Sequence, residues 1–304
     1  MKKKKIRDRS KAGYLFILPF FISFIIFGLY PVLFTFSLSM QSWNGLSEEV
    51  FCGFNNFKRL IGDKVFYLSI YNTLRIWLVS YVPQILLALL LSSIFSLYRV
   101  RGMKAFRAVY YLPNLITAAS VGLLFNLLFD GNKSVVNHIL TALHIPGAPF
   151  DFFNSPLFAS SLASYIQWWM WFGYTAILVM AGITTIDTSL FEAAQVDGAD
   201  KGKTYRYITL PLIKPTVIYI TVTSIVGGMQ LFDVPSTLSG GTGEPEKALL
   251  TVSMYLYNQG FKNHNYGYSA AVSVGLFIVI ALMSILTLKA MKGRGKYSGN
   301  EKRN

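Results

Sequence analysis

The residues best suited to chemistry in this chain are amides and aromatics, not acids, histidines or thiols. In the segment QWWMWFGY, Gln167, Trp171 and Tyr174 recur at i, i+4 and i+7, so a helix sets them on one face. An aromatic ring offers a platform to the apolar C–H face of a sugar, and an amide serves its hydroxyls as donor and acceptor. Asn114 and Gln230 extend that set, with Thr223 as a weaker companion of Gln230. Aromatics of this kind also belong at membrane interfaces and in helix-bundle cores, so packing is the competing account of the same face.

Other chemistries find less support. GADKGKT (198–204) has the ending of a phosphate-binding loop, but its first glycine position holds Asp197, whose carboxylate repels phosphate, and no strand precedes it. Nucleotide binding is therefore not expected. His138, His144 and His264 lack metal-ligand spacing, so no metal site is expected. A single cysteine, Cys52, excludes an intramolecular disulfide. Asp233 and Arg75 fall near the ends of apolar segments, where a water-exposed position explains them more simply than proton coupling does.

The elements that must position these residues are membrane helices. The 304 residues are 53% hydrophobic and 14% charged, with a mean hydropathy of +0.45. A water-soluble domain carries roughly 25% charged residues. The apolar residues come in blocks long enough to cross a bilayer, which takes about 20 residues of helix. Six spans are read at 14–40, 71–97, 109–129, 157–183, 212–234 and 269–288. The first carries Pro19 and Pro31 and suits a kinked, peripheral helix. Its extent, without a small-x-small cleavage pattern, marks an uncleaved span. The last is short and plain. Spans three, four and five are the least apolar, which points to a polar path between them.

The net charge of +14 follows this topology. Of 28 basic residues, 21 fall at the amino terminus, in 99–107, in 201–214 and in the tail. The seven others are Lys58, Arg59, Lys64, Arg75, Lys133, Lys247 and Lys262. Such a bias places both termini in the cytoplasm and makes nucleic-acid binding improbable. The domain plan is a basic cytoplasmic amino terminus (1–13), a membrane domain (14–290) and a cytoplasmic tail (291–304). The outer loop 41–70 has room for a short interfacial helix around 54–60.

The segment EAAQVDGADKGKTYRYITLPLIKP (192–215) is a polar insertion between spans four and five. Ser189 and Glu192 have the spacing of a capping box, which puts the N-cap at Ser189. Gly198 fits the left-handed residue that closes a helix. Asp200 can cap a second short helix to Leu210, and Pro211 and Pro215 then turn the chain into span five. The product is a compact knob, able to enter a groove on a partner or to serve only as a connector.

Glu192-Ala193-Ala194, Gly198, Ile208 and Leu210-Pro211 resemble the signature of permease subunits of binding-protein-dependent ABC importers. Asp197-Gly198-Ala199 and Lys214-Pro215 are similar to the sugar-permease branch. So are GFNNFKRL (53–60), NTL (72–74), FRAVYYLPNLIT (106–117) and YNQGF…YGYSAA (257–271), which extend the resemblance over nearly the whole chain. The resemblance implies an all-α integral membrane protein, a type I importer bundle of six transmembrane helices with a cytoplasmic coupling helix in the loop 187–211. It implies a multi-pass subunit of the bacterial cell membrane that is not itself an enzyme and holds no cofactor, ATP and Mg being bound by a partner. The implied partners are a second homologous permease, two ATP-binding cassette subunits, an extracytoplasmic solute-binding protein, lipid and a sugar, with oligosaccharide favoured. Carried over by position, Glu192, Ala193, Ala194, Asp197, Gly198 and Ala199 form the ATPase-coupling element. Asn114, Gln167, Trp171, Tyr174, Thr223 and Gln230 are the pathway candidates from their own chemistry, and the loops 41–70 and 235–268 the candidate docking surface. The alternative, a six-helix ion-coupled secondary transporter, needs intramembrane ionisable relays, and the spans offer only Asp233 and Arg75.

Overall fold

A computed structural model describes residues 10–97, 102–131 and 134–292. The basic clusters at 1–9 and 293–304, and with them most of both expected terminal segments, lie outside the described residues, as do Arg99 and Arg101.

The chain begins with α1 (Ser10–Phe24), a π-helical turn (Ile25–Leu29) and α2 (Tyr30–Ser39). The two prolines act differently. Pro19 sits inside α1, whereas Pro31 opens α2 directly after the π turn. Pro31 has no N–H to return to the preceding turn, and the wider i→i+5 loop absorbs that loss without breaking the span. A two-residue hairpin follows, β1 (Gln41–Ser42) antiparallel to β2 (Val50–Phe51), then α3 (Asn55–Ile61) where an interfacial helix is expected. The long α4 (Lys64–Leu97) comes next.

The third expected span is not a single helix. α5 (Met103–Tyr111) runs through a 3-10 turn (Leu112–Leu115) and meets α6 (Ala118–Phe129) at 86°. Ile116 and Thr117 are extended, and the Thr117 hydroxyl accepts from the Ser120 N–H, so the chain caps a new helix instead of continuing the old one. Beyond α7 (Val135–Ala142), α8 (Pro156–Thr184) carries the aromatic segment. The knob comprises α9 (Thr188–Val196), α10 (Lys201–Thr204), a π turn (Tyr205–Thr209) and α11 (Leu210–Leu212). The fifth span is α12 (Lys214–Met229), an irregular break at 230–232, and α13 (Asp233–Leu238). α14 (Val252–Tyr257) precedes α15 (Tyr266–Lys292), so the last span is a full 27-residue helix and not a short one. Among the described residues five helices are long and apolar enough to cross a membrane, or six if the bent pair is one span.

The chain divides into two compact units. The first joins 1–63 to 256–277. Asn56 anchors its hairpin, donating to the Ser39 and Gln41 carbonyls at 3.0 and 2.8 Å. The Arg59 guanidinium lies 3.9 Å from the Tyr268 ring centre, and the Tyr268 hydroxyl donates to the Asp63 carboxylate. The family-like segments GFNNFKRL and YGYSAA, some 200 residues apart in sequence, thus fold on one another.

The second unit, 64–255 with 278–304, holds the packed core. α4 lies along α8, and α13 lies against α6. Ile76, Val121, Ala163, Ile166, Met170, Val234 and Leu249 form one apolar cluster, so spans two, four and five and the bent pair share a core.

Candidate functional site

Two features of the second unit carry functional groups: the knob between α8 and α12, and a cavity among α4, α8 and α12.

The knob is built from caps. Asp187, not Ser189, is the N-cap of α9, and its carboxylate accepts from the Ser189 N–H at 2.9 Å. The expected capping box is therefore displaced by two residues: Asp187 lies where the chain is still extended, and a carboxylate is as good a cap as a hydroxyl. Those Ser189 hydrogen bonds hold the Asp187 carboxyl below its ordinary pKa. At the other end Gly198 has φ +74°, with its N–H on the Gln195 carbonyl (3.2 Å) and the Ala199 N–H on the Ala194 carbonyl (2.9 Å). These two bonds make a Schellman closure, whose left-handed residue is cheapest as glycine. Asp200 caps α10 as expected, accepting from the Lys203 N–H at 2.8 Å, with the Lys203 ammonium 3.7 Å away. That backbone bond, more than the ammonium, lowers the Asp200 pKa. The would-be phosphate loop is thus a helix start whose lysine faces an aspartate.

Glu192, Ala193, Asp197 and Gly198 are exposed, Ala199 is half-buried, and Ala194 is buried within the knob. The face open to a partner is therefore Glu192, Ala193, Val196, Asp197 and Gly198, and Val196 is 87% exposed. The Tyr205 hydroxyl donates to the Leu89 carbonyl at 2.9 Å, tying the far side of the knob to α4. Burial pushes the Tyr205 phenol above its ordinary pKa.

The cavity, about 400 Å³, receives Gln167, Trp171 and Tyr174 from α8, Thr223 from α12 and Gln230 from the break after it. Five of the six pathway candidates therefore meet. Asn114 does not: it sits half-buried in the 3-10 turn at the bend, and Ala118 is the one lining residue from the bent pair. The expected wall of spans three, four and five is replaced by one of spans two, four and five. From α4 come Trp77, Ser80 and Gln84, which the sequence reading passed over. Their signal was a polar side chain at 77, 80 and 84, on one side of an otherwise apolar helix. Asp233 lies on the cavity wall as the first residue of α13 and is exposed.

The lining is positioned by bonds between helices. Trp77 donates Nε1–H to the Ser224 hydroxyl at 3.0 Å, and its ring packs on Gly228, where a Cβ would come within 2.0 Å of it. Gln84 Nε2 donates to the Thr175 hydroxyl at 2.5 Å. The Tyr81 and Thr221 hydroxyls are 2.7 Å apart. The aromatic segment divides its work. Trp169 packs against the core and Trp168 stacks on Phe172 at 5.5 Å, while Trp171 and Tyr174 meet edge-on at 5.7 Å on the cavity side. Rings, amides and hydroxyls share the wall with apolar side chains such as Leu178 and Ile220 and with Asp233.

Residues 50–290 match the family described as "Binding-protein-dependent transport system inner membrane component". The lactose transport system permease protein LacF of Rhizobium radiobacter is 33% identical over 93% of this chain and 94% of its own length. The arabinooligosaccharides transport system permease protein AraP of Bacillus subtilis is 32% identical over 95% and 92%. Among solved structures, a chain of a bacterial ABC transporter involved in the import of the acidic polysaccharide alginate matches at a TM-score of 0.74, with 23% identity over 95% of this chain and 97% of that one.

Proposed function

The chain belongs to the family of binding-protein-dependent transport system inner membrane components, and from that membership we propose that it moves an oligosaccharide into the cell through the α4–α8–α12 cavity. It is a multi-pass permease subunit of an ABC importer, not an enzyme. The observation that carries the reading is the pairing of two features in one unit. One is a cavity walled by rings and amides. The other is a capped knob on the loop that leaves α8 and returns as α12, two of the cavity's own walls. A push on the knob thereby reaches the lining through two rigid helices.

In this reading both termini are cytoplasmic. Glu192, Ala193, Asp197 and Gly198 meet one of two ATP-binding cassette subunits, which bind ATP and Mg and hydrolyse the nucleotide. Ala194 and Ala199 shape the knob from within. A second homologous permease completes the pathway, and an extracytoplasmic solute-binding protein delivers the sugar. The outer loops 41–70 and 235–268, whose Arg59 and Tyr268 ends are already joined, are the proposed seat of that protein. ATP binding shifts an inward–outward equilibrium only as far as it favours one state over the other.

Vesicles holding the complex test this. Uptake should persist after an ionophore collapses ion gradients and stop when the ATPase subunit is withheld. Uptake driven by a gradient alone would assign the chain to ion-coupled transport.

A further inference from the structure

Arg75 is the one charged side chain of α4 between Lys64 at its start and Leu97 at its end. Leu68, Tyr71, Leu78, Val79 and Val82 are exposed around it at helical spacing, so it sits in the middle of an open, apolar stripe. Its guanidinium carbon lies 5.9 Å from the centre of the Tyr71 ring. Side chains on a helix lean toward its amino terminus, so this pairing carries the charge away from the middle of the span. Nη2 is enclosed, without a hydrogen-bond partner among the described residues, so it meets an outside ligand only once the half-buried side chain turns outward. A guanidinium presents a planar fork of N–H groups whose geometry matches phosphate oxygens.

Two independent measures give the level of Arg75 along the span. From 76 to 98 the sequence carries no charge, and 23 residues of helix would rise about 35 Å, enough to cross the roughly 30 Å hydrocarbon core of a bilayer. Arg99 and Arg101 follow just beyond the other end of that stretch in the sequence. One turn before Arg75, Asn72 Nδ2 donates to the Lys247 carbonyl at 2.7 Å, and next to it the Val252 N–H donates to the Thr73 hydroxyl at 3.0 Å. The loop 247–252 is thus bonded to α4 at the level where the uncharged stretch begins.

We propose that Tyr71 and Arg75 form a phospholipid headgroup site, in which the guanidinium takes the phosphodiester oxygens and the phenol lies beside them at the membrane surface. Arg75 then marks the bilayer boundary, and the first two turns of α4 (64–70) stand clear of the hydrocarbon. Such anchors fix the depth of a helix in the membrane. Depth matters here because α4 is a wall of the cavity and Tyr205 of the knob bonds to its Leu89 carbonyl. The site rests on the membrane-spanning reading above, but not on which side of the membrane each terminus lies.

The test uses the full chain in two measurements. Native mass spectrometry with added phosphatidylglycerol or phosphatidylcholine should show lipid retained by the wild type, about fivefold less on R75Q, and partial retention on R75K. Excess inorganic phosphate should not displace the lipid; displacement would make the site a phosphate site only. Equal retention by R75Q and wild type overturns the proposal. So does loss of the sister permease from R75Q with lipid retention unchanged, which would assign the anion to a partner carboxylate. Cysteines at Leu68 and Val79, in a Cys52→Ser background, give the boundary. An aqueous maleimide should reach the first and not the second, and labelling of Val79→Cys would overturn the placement. Labelling of Leu68→Cys only after permeabilisation would leave the lipid site standing and reverse the orientation of the whole chain.

Discussion

At the scale of residues, the cavity separates side chains that hold its shape from those that face its contents. Trp77 is buried and fixed by Ser224 and Gly228, whereas Trp171 is 44% exposed and meets Tyr174 edge-on. Substitutions should divide accordingly. Gly228→Val forces a branched side chain into the Trp77 ring and should cost about 1–3 kcal/mol through overpacking, seen as a lower melting midpoint of the detergent-solubilised protein. The double change Gln167→Ala with Trp171→Ala removes one ring and one amide from the cavity side and should leave that midpoint in place. It should lower uptake about tenfold, equal to roughly 1.4 kcal/mol of lost contact. Unchanged uptake would return that face to packing. Replacing Gln84 by leucine strands the Thr175 hydroxyl between α4 and α8, but a hydrogen bond between membrane helices is worth only about 0.6 kcal/mol on average. A mild loss of stability is expected there.

At the scale of elements, the knob was legible in the sequence because its signals are local. Gly198 and Asp200 each act within four residues of themselves, and the structure gives both the roles their types predict. The error of two residues at the N-cap has the same origin. Asp187 and Ser189 are both good caps, and only the backbone conformation, extended at Asp187, chooses between them. The break at Ile116–Thr117 was harder to see, because Pro113 is tolerated in membrane helices and the bend depends on Thr117 capping a second helix. The cavity wall from α4 was missed because its polar residues lie in a strongly apolar helix, and only the packing of α4 along α8 shows which way they face. Gly198→Pro tests the knob: proline cannot adopt φ +74° and removes the N–H that meets Gln195, so about 2 kcal/mol or more should be lost locally. Membrane insertion should be intact, and co-purification of the ATPase should fall. The caps also have a pH signature. Asp187 and Asp200 have lowered pKa values when folded, so their contribution is present above the unfolded carboxylate range, about pH 3.9, and is lost as pH falls through the lower folded values. Amide exchange in α9 should accordingly be protected at neutral pH and speed up only in acid, after correction for intrinsic rates. Protection that fades already near pH 6 would show that the caps do not hold the helix.

At the scale of the whole molecule, everything proposed for the knob requires it to lie on the side of the membrane where ATP is made available. The bias of basic residues argues for that side, 21 of 28 falling in the segments that would share the knob's compartment. That bias weighs heavily on the termini, whose basic clusters lie outside the described residues, so a direct measurement at the knob is the stronger test. Ala194 closes the Glu192-Ala193-Ala194 triplet of the family-like pattern, but it is buried and a reagent would reach it poorly. Val196, one turn end away and 87% exposed, reports the same location without that obstacle. A cysteine at Val196 in a Cys52→Ser background should resist a membrane-impermeant maleimide in intact cells and react fully in inside-out vesicles. Co-expression of the ATPase subunit should then slow the reaction in the vesicles, because the face that carries Val196 also carries Glu192, Ala193 and Asp197. Labelling in intact cells would put the knob beyond the reach of any cytoplasmic ATPase, and the cavity would need another source of movement.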